Sequence, residues 1–337
     1  MRVLLLENWG LGDAIMATAG IRMLEAEGHQ VTLLCKENSA QLLKPSYPKI
    51  QFVNFDWPWT AFRGKYRLSK WPWLLMVRVI SRLRRARFDA VLSVRPDPRD
   101  HLLMLLIVSR KRVGYGVYGT SLWLTESLPI SADVHRVDAW QYAVQRLDPG
   151  TGPLPPELSD ELVNASSCIQ DGSDGDNVIV IHCGAAQAVR RWPLESWSEI
   201  IRRIRSEWSG TNVVVLTDPD GYGSTLEDVA DQVITGLSLD ALVATLASAT
   251  VVMANDSGPG HISVALGVPV VTVFGPQVPA VFRPYGDSHC VVGGIPCRYR
   301  PCFDSCRFDK PYCMHDLTPD IAWPMLKPWL KQKLSGA

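Results

Sequence analysis

A run of polar and small residues, Asn255-Asp256-Ser257-Gly258-Pro259-Gly260-His261, carries the strongest chemical signal in the sequence. It follows an apolar, β-branched run that ends at Met253, and it precedes small residues that end at Gly267. This pattern predicts a strand, a turn and a helix. The turn would lie at the carboxyl edge of a sheet, where open α/β sheets bind ligands and where helix N–H groups can hold an anion. Ser257 and Gly258 are the predicted phosphate cradle.

Two ionisable side chains lie beside this cradle. A carboxylate repels a phosphate, so we expect Asp256 to accept hydrogen bonds from sugar hydroxyls or to fix the loop. His261 is one helical turn further on and can point to the same place. Each residue taken singly also has a structural interpretation, with Asp256 or Ser257 as a helix N-cap and His261 as a packing residue. The whole string favours a ligand site.

Together with Leu237 to Leu242 and Phe274-Gly275-Pro276, the string resembles the nucleotide-sugar half of the lipopolysaccharide heptosyltransferases, glycosyltransferase family nine. The resemblance covers nearly the whole chain and is weakest over 36–93. It implies an α/β fold of the GT-B type, in which two Rossmann-like, doubly wound domains face across a cleft. It also implies inverting, metal-independent transfer of a sugar to a hydroxyl of a lipopolysaccharide-type or protein acceptor. ADP-heptose is the implied donor, although no residue fixes the base or the sugar.

Asp13 is the candidate catalytic base. The sequence predicts a strand over Arg2 to Leu6, a glycine-bearing loop and a helix that Asp13 opens. Gly10-Leu11-Gly12 lacks the third glycine of a dinucleotide fingerprint, so we predict no dinucleotide site here. A lone Asp at a helix start is typical of a cap. Gly12-Asp13 before a helix of apolar and small residues matches the opening motif of the resembled family, whose aspartate is implicated as the catalytic base.

Further candidate acceptor contacts follow later elements of the same half. Arg95 and Asp97 come after a predicted buried strand, and His135 precedes a predicted helix. The segment His135-Arg136-Val137-Asp138 resembles the acceptor-side histidine segment of the family. Gly12 leaves room for a ligand beside Asp13. The predicted acceptor contacts are therefore Gly12, Arg95, Asp97 and His135.

Two loops complete the predicted donor side. Arg190-Arg191-Trp192-Pro193 follows a predicted strand edge, and two adjacent arginines can neutralise a leaving diphosphate. The family usually has lysine, any residue, tryptophan and proline here, so Arg190 takes the lysine position and keeps the charge. Thr217-Asp218 lies where the family holds its nucleoside, or forms an ordinary turn. The predicted donor contacts are Gly184, Arg190, Arg191, Thr217, Asp218, Asp256, Ser257, Gly258, Pro259 and His261.

Four of the eight cysteines, Cys297, Cys302, Cys306 and Cys313, lie close together in the sequence. Four thiolates can hold zinc or iron tetrahedrally and order a segment with little core. The separations differ from the usual paired two-residue spacing, so free thiols and a disulfide stay open. Relatives that glycosylate autotransporters hold iron with cysteines in this segment, which implies a structural iron or zinc ion. We expect no catalytic cofactor.

Length and composition indicate two domains. The chain has 337 residues and is 47% apolar, which suffices for two cores of ordinary size. We predict an acceptor-binding domain at 1–155, a linker at 156–176, and a nucleotide-sugar-binding domain at 177–337. The boundary lies within Asp148 to Asp176, a stretch that is rich in Pro, Gly and Asp. The last domain contains a Cys-rich loop at 295–314 and a terminal helix that two prolines must kink or break.

Charge and hydropathy limit the partners and the location. Thirty-four basic residues balance thirty-four acidic residues, so we predict no nucleic-acid partner. The amino-terminal apolar run, Val3 to Leu6, is too short for a signal-peptide core, and no stretch has the length of a membrane span, so we expect a cytoplasmic protein. The segment 57–88 departs from this balance, because it has four tryptophans, nine basic residues and no acidic residue. The interpretations of this segment are a peripheral anionic-membrane face, an anionic acceptor site, a local nucleic-acid contact, and a solvated helix face with packed aromatics.

Two other classes of function stay open on the sequence alone. A non-catalytic nucleotide-sugar-binding module would tolerate Asp13→Asn without a change in function. A GT-B sugar-nucleotide epimerase would need no second substrate.

Overall fold

The computed structural model describes residues 1–61, 67–129, 131, 133–159, 162, 167–169, 177–302 and 305–335. The chain divides into two compact units, Met1–Pro156 and Glu157–Ala337. Most of the predicted linker at 156–176 lies outside the described residues, as do Arg63 and Lys65 of the basic segment. The assignment of acceptor and donor roles to the two units stays a prediction.

The first unit is built on one parallel sheet. Its strands are β1 Arg2–Glu7, β2 Gln30–Cys35, β3 Gln51–Asn54, β4 Ala90–Ser93, β5 Lys111–Gly114 and β6 Glu126–Ser127. Its helices are α1 Leu11–Ala26, α2 Glu37–Leu43, α3 Trp73–Ala86, α4 Pro98–Ile107 and α5 Arg136–Leu147. The strand order is β3-β2-β1-β4-β5-β6. The run Val3 to Leu6 is fully buried, as expected for a parallel strand that is covered on both faces.

The second unit repeats this plan. Its strands are β7 Val178–His182, β8 Asn212–Leu216, β9 Gln232–Ile234, β10 Val251–Asn255, β11 Val270–Val273 and β12 His289–Val292. Its helices are α6 Leu194–Glu207, α7 Leu239–Ala247, α8 Gly258–Ala265, α9 Pro279–Phe282, α10 Tyr312–His315 and α11 Pro319–Leu334. The strand order is β12-β11-β10-β7-β8-β9. Counted from its own first strand, this sheet has the same order as the first.

Each sheet has one switch point, where the winding of the chain reverses direction. It lies between β1 and β4 in the first unit and between β7 and β10 in the second. The loops that leave these neighbouring strands diverge to opposite faces of the sheet, which opens a crevice for ligands at the carboxyl edge. The predicted fold class, two doubly wound α/β units with parallel sheets, is confirmed.

Of the two effects expected of the prolines in the terminal helix, a kink or a break, the break is wrong. α11 continues through Pro324 and Pro328 to Leu334. Leu326 and Leu330 are fully buried on a helix that packs against α6 and β12. Burial of this apolar stripe offsets the backbone hydrogen bonds that the prolines remove.

The apolar run Leu102 to Val108 predicts a core helix, but the outer side of α4 is exposed. Leu102, Leu105 and Leu106 are 43%, 38% and 39% exposed, whereas Leu103 and Met104 are buried. The apolar pattern predicted the helix correctly but gave no information on which faces other elements cover. No helix within the described residues is both long and apolar enough to cross a membrane.

Candidate functional site

A carboxylate and a guanidinium meet at the switch point of the first unit. Asp13 is the third residue of α1, which begins at Leu11, and Arg95 follows β4. Arg95 Nη2 donates to Asp13 Oδ1 at 2.6 Å, and the Gly10 N–H donates to Asp13 Oδ2 at 3.2 Å. The Arg95 and Asp13 side chains are 18% and 16% exposed. Asp13 therefore caps its helix, and solvent still reaches its carboxylate. Gly12 precedes Asp13 within the first turn of the helix.

A buried carboxyl group, that of Glu7, lies beside this pair and was not predicted from the sequence. Glu7 ends β1 and is 1% exposed, and neither of its carboxyl oxygens has a hydrogen-bond partner among the described residues. Burial, followed by the Asp13 carboxylate, raises the pKa of Glu7 to about 8, although Arg95 and Arg136 oppose this rise. Glu7 is therefore mostly protonated at neutral pH. A glutamate at a strand end has no motif that would have identified it.

Arg136 is a second residue that the sequence predictions omitted. It begins α5, and its Nη1 donates to the carbonyl of Val94, just after β4, at 2.7 Å. Burial lowers the pKa of Arg136 to about 10, and the positive charge of Arg95 acts in the same direction. Two guanidinium groups therefore lie near Asp13. The position of Arg136 beside His135 in the family-like segment was the only available signal.

His135 and Asp97, two predicted acceptor contacts, both cap helices. His135 is buried, and its Nδ1 accepts the Val137 N–H at 3.1 Å. Asp97 Oδ1 accepts the N–H and Nε of Arg99 at 2.9 Å each, and Oδ2 accepts Arg99 Nη2 at 2.6 Å. Burial raises the pKa of Asp97, but the hydrogen bonds and charge of Arg99 outweigh it and lower that pKa below its usual range. Both Asp97 oxygens are thus engaged, which favours Arg95 as the acceptor contact.

A buried amide ties together the switch point of the second unit. Asn255 Nδ2 donates to the carbonyls of Cys183 at 2.6 Å and Gly184 at 3.3 Å, and its Oδ1 accepts the Trp192 N–H at 3.1 Å. Asn255 is fully buried, so these hydrogen bonds satisfy groups that have no access to water. Asn255 was not among the predicted donor contacts, yet it fixes both ends of the loop that carries Arg190.

The start of α8 has the features of an anion site. Ser257 occupies the N-cap position, but its Oγ donates to the Asn255 carbonyl at 3.2 Å, and no side chain caps the helix. Pro259 has no N–H, so the first-turn donors of this helix are the N–H groups of Gly258 and Gly260. His261 lies in the same turn and is 8% exposed.

Arg191, one of the two arginines predicted to share a role, is held within its own loop network. Its Nη2 lies 2.8 Å from a carboxylate oxygen of Asp218 and 2.8 Å from one of Asp220. Its Nε donates to the Ala185 carbonyl at 2.9 Å, and its guanidinium lies 4.6 Å from the centroid of the Tyr222 ring. Two carboxylates therefore already neutralise the charge of Arg191.

Arg190 has weaker contacts than its neighbour. It closes the 3-10 turn Ala188–Arg190, and its Nη1 lies 3.4 Å from Asp256 Oδ2. The Arg190 side chain is 25% exposed, against 17% for Arg191. Of the two arginines, Arg190 is therefore the better candidate for a diphosphate, and Asp256 orients it.

Thr217 and Asp218 form the turn that follows β8. Asp218 Oδ1 lies 3.3 Å from Nε2 of the buried His182. Burial raises the pKa of Asp218, but the His182 hydrogen bond and the charges of His182 and Arg191 lower it overall. A Cβ on Gly184 would collide with the Asp218 carboxylate, so only glycine permits this close approach.

The four clustered cysteines are separate thiols in this structure. Cys313 is buried, and burial raises the pKa of its thiol to about 11, with a further contribution from Cys297, Cys302 and Cys306. The four sulfur atoms are thus close enough to interact electrostatically. Across the described part of the chain, however, no group of three or more His, Cys, Asp or Glu side chains is arranged to hold a metal ion. The predicted metal site stays a prediction.

The solved structures that share the fold at low sequence identity include two bacterial glycosyltransferases. The heptosyltransferase WaaC of E. coli, with ADP-2-deoxy-2-fluoro heptose, has a TM-score of 0.72 and 18% identity, and the match covers 97% of this chain and 99% of WaaC. The iron-containing dodecameric glycosyltransferase TibC from enterotoxigenic E. coli has a TM-score of 0.60 and 18% identity, over 98% of this chain and 77% of TibC. At these identities the likeness supports the fold alone.

Sequence comparison extends the relationship beyond the fold. Lipopolysaccharide heptosyltransferase 1 of Pseudomonas aeruginosa is 27% identical over 222 residues, which is 59% of this chain, and the match spans only 60% of that relative's length. Residues 76–312 match the family model described as Glycosyltransferase family 9 (heptosyltransferase). The chain therefore belongs to glycosyltransferase family 9, the heptosyltransferase family.

Proposed function

We propose that the protein transfers a heptose from ADP-heptose to a hydroxyl of a lipopolysaccharide-type or protein acceptor, with inversion and without a catalytic metal. The observation that carries this proposal is the presence of complementary chemistry at the two switch points. One has a partly exposed carboxylate, Asp13, and the other has an uncapped helix start beside Arg190. Family membership and the ADP-heptose analogue named with WaaC support the choice of donor.

In the proposed mechanism, Asp13 is the general base. Its carboxylate takes the proton of the acceptor hydroxyl while that oxygen forms a bond to the anomeric carbon of the donor. The bond from the anomeric carbon to the diphosphate oxygen breaks in the same displacement, and its electron pair leaves with ADP. Arg95 orients Asp13 through the 2.6 Å hydrogen bond, and its remaining guanidinium donors can bind an anionic group of the acceptor. Glu7 keeps its own proton and so leaves Asp13 as the charged carboxylate.

The second unit stabilises the leaving group. The first-turn N–H groups of α8 and the Arg190 guanidinium supply positive charge to the diphosphate as the glycosidic bond breaks. Arg190 contacts Asp256 at 3.4 Å only, so a diphosphate can compete for it, whereas Arg191 stays with its two carboxylates. Thr217 contributes a buried hydroxyl without a hydrogen-bond partner among the described residues, which we assign to the nucleoside.

A structural metal is a separate proposal. Four thiols are a suitable ligand set for iron or zinc, and their mutual electrostatic effect on Cys313 supports their proximity. In the present arrangement they do not fit a metal ion, because they are not assembled as ligands. The cysteines would have to approach one another, and no step of the transfer reaction involves them.

Product analysis tests the proposed activity. The protein is incubated with ADP-heptose and a panel of lipopolysaccharide-type and protein acceptors, and mass spectrometry detects a heptose added to an acceptor together with released ADP. NMR of the product should show an anomeric configuration opposite to that of the donor. Conversion of the sugar nucleotide without an acceptor would favour the epimerase alternative. Tight donor binding without turnover across the panel would favour the binding module.

A further inference from the structure

The exposed side of α3 combines large apolar side chains with basic ones. In its first turns Trp73, Leu74 and Val77 are 50%, 78% and 62% exposed, whereas Met76 and Leu83 are buried. A helix that only covers a core turns its large apolar side chains inward. The later turns of the helix expose four arginines: Arg78, Arg82, Arg84 and Arg85.

The neighbouring helix also has exposed apolar side chains. α3 packs against α4, on which Leu102, Leu105 and Leu106 are each more than a third exposed, at 43%, 38% and 39%. Single exposed apolar residues are ordinary, but a group on adjoining elements marks an interaction surface. The α3–α4 face is here defined as Trp73, Leu74, Val77, Leu102, Leu105 and Leu106 together with Arg78, Arg82, Arg84 and Arg85.

The charge of this face is a local feature. The chain as a whole has no formal net charge, yet residues 57–88 include nine basic residues and no acidic one. The seven basic residues of this segment that the structure describes are all exposed: Arg67, Lys70, Arg78, Arg82, Arg84, Arg85 and Arg87. A partner must therefore supply both negative charge and an apolar phase.

We propose that the α3–α4 face docks on an anionic lipid bilayer. The leucines, Val77 and Trp73 enter the boundary between headgroups and acyl chains, and the arginines bind lipid phosphates. Nucleic acid would satisfy the arginines but would leave Leu74 and Val77 in water. An uncharged protein surface would cover the apolar residues but leave the guanidinium groups unmatched. An anionic bilayer is the partner that satisfies both halves of the face.

A row of tryptophans extends from the core of the first unit to this face. The ring centroids of Trp57 and Trp59 are 4.7 Å apart, those of Trp59 and Trp71 5.9 Å, and those of Trp71 and Trp73 5.1 Å. Trp57 and Trp59 are 1% and 6% exposed, whereas Trp73 is half exposed. Trp73 Nε1 also donates to the Leu68 carbonyl at 3.0 Å. The first turn of α3 is therefore anchored to buried aromatic rings.

The same row leads to the Asp13 pair. Trp59 Nε1 and Trp9 Nε1 donate to the two carboxyl oxygens of Asp100, each at 3.4 Å. The Arg95 guanidinium lies 4.4 Å from the centroid of the Trp9 ring, and Arg95 donates to Asp13. Docking of the face would thus hold the Asp13 pair at a fixed distance from the bilayer. A fixed distance between Asp13 and the bilayer suits an acceptor with a lipid anchor. This consequence rests on the proposed function, whereas the docking itself is independent of it.

Vesicle cosedimentation of the full chain tests the docking. Vesicles of phosphatidylcholine alone are compared with vesicles that also contain phosphatidylglycerol, and we expect binding to the anionic vesicles that weakens as salt is added. Because each basic residue near an anionic surface contributes about fivefold to binding, Arg82→Gln/Arg84→Gln/Arg85→Gln should weaken it about 100-fold. Leu74→Ser/Val77→Ser should weaken it about tenfold or more.

The matched control removes the same charge elsewhere. Lys44→Gln/Lys49→Gln/Lys331→Gln replaces three exposed lysines outside the α3–α4 face and should bind the anionic vesicles within about twofold of the wild type. Circular dichroism checks that each variant is folded. Unchanged binding by the arginine variant, equal binding to both vesicle types, or tighter binding to single-stranded DNA than to vesicles would overturn the proposal. No sugar donor is present, so failed docking and failed transfer are separate results.

Discussion

Glu7→Gln removes the buried carboxyl group beside Asp13 while keeping the shape of the side chain. Burial raises the pKa of Glu7 from 4.5 to about 8. A carboxyl with a higher pKa in the folded state than in the unfolded state binds more protons when folded, so its contribution to stability falls as pH rises between those two values. At about 1.4 kcal/mol for each pH unit between 4.5 and about 8, the loss reaches roughly 5 kcal/mol above pH 8. This is an upper limit, because entry of water or rotation of the side chain would relieve the burial.

Denaturant unfolding measured from about pH 5 to about pH 9 checks this expectation. The wild-type free energy of unfolding should fall relative to that of Glu7→Gln across this range, so that the variant gains stability over the wild type as the solution becomes alkaline. Glu227→Gln, which removes an exposed carboxyl group, should follow the wild-type curve. If the free energies of unfolding of the wild type and Glu7→Gln differ by the same amount at every pH, the conclusion that burial keeps Glu7 protonated is refuted.

Four further substitutions test the second unit. Arg190→Ala should raise the Kd for ADP about tenfold to 100-fold by calorimetry, since a charge-assisted hydrogen bond contributes about 1.5 to 3 kcal/mol. Arg191→Ala should instead mainly lower Tm, because it leaves the Asp218 carboxylate without its guanidinium partner. Equal and negligible effects of the two substitutions would contradict the separate roles. Gly184→Ala should destabilise the fold by about 1 to 3 kcal/mol in denaturant unfolding, because the new Cβ displaces Asp218, and wild-type stability would show that the loop adapts freely. If the thiols bind a structural metal, Cys302→Ser should lower Tm more than kcat, and elemental analysis of protein purified without added metal should find about one equivalent of metal ion. Metal-free protein with four alkylatable thiols would exclude the metal. A crosslink between cysteines under non-reducing conditions would favour a disulfide.

The sequence was sufficient for the elements and for their general placement. The runs Val3 to Leu6 and Ile179 to Ile181 are apolar and continuous, a pattern typical of parallel strands buried on both faces. Polar loops directly after such strands must lie at the carboxyl edge of the sheet. For this reason the sequence alone indicates that Asp13, Gly184 and Ser257 lie at the carboxyl edges of their sheets.

The lateral order of the strands was not available from periodicity. Arg95 reaches Asp13 because β4 lies beside β1, although more than eighty residues separate the two side chains in the sequence. The burial of Glu7, at the end of β1, depends on the same arrangement of strands. Asn255 joins the end of β10 to the loop after β7 for the corresponding reason in the second sheet. Periodicity identifies a strand and its buried faces, but not the strand that lies next to it.

The separate environments of two adjacent arginines depend on a distant loop. Arg190 and Arg191 are adjacent residues of the same type, and their environments differ because Asp218 and Asp220, in the turn after β8, both reach Arg191. The exposed face of α4 has a similar explanation, since an apolar helix pattern does not reveal which sides other elements leave uncovered. In both cases the missing information was a tertiary contact.

The most direct test of the proposed mechanism is the rate of heptose transfer by Asp13→Asn in a single turnover with saturating ADP-heptose and an acceptor that the wild type uses. Because loss of a general base typically costs about 10²- to 10⁴-fold, the rate should fall by that factor while the Kd for ADP and the Tm stay near the wild-type values. Asp240→Asn, which removes an exposed first-turn carboxylate from α7, should transfer at the wild-type rate. Transfer by Asp13→Asn at a rate close to the wild type would contradict the assignment of Asp13 as the base.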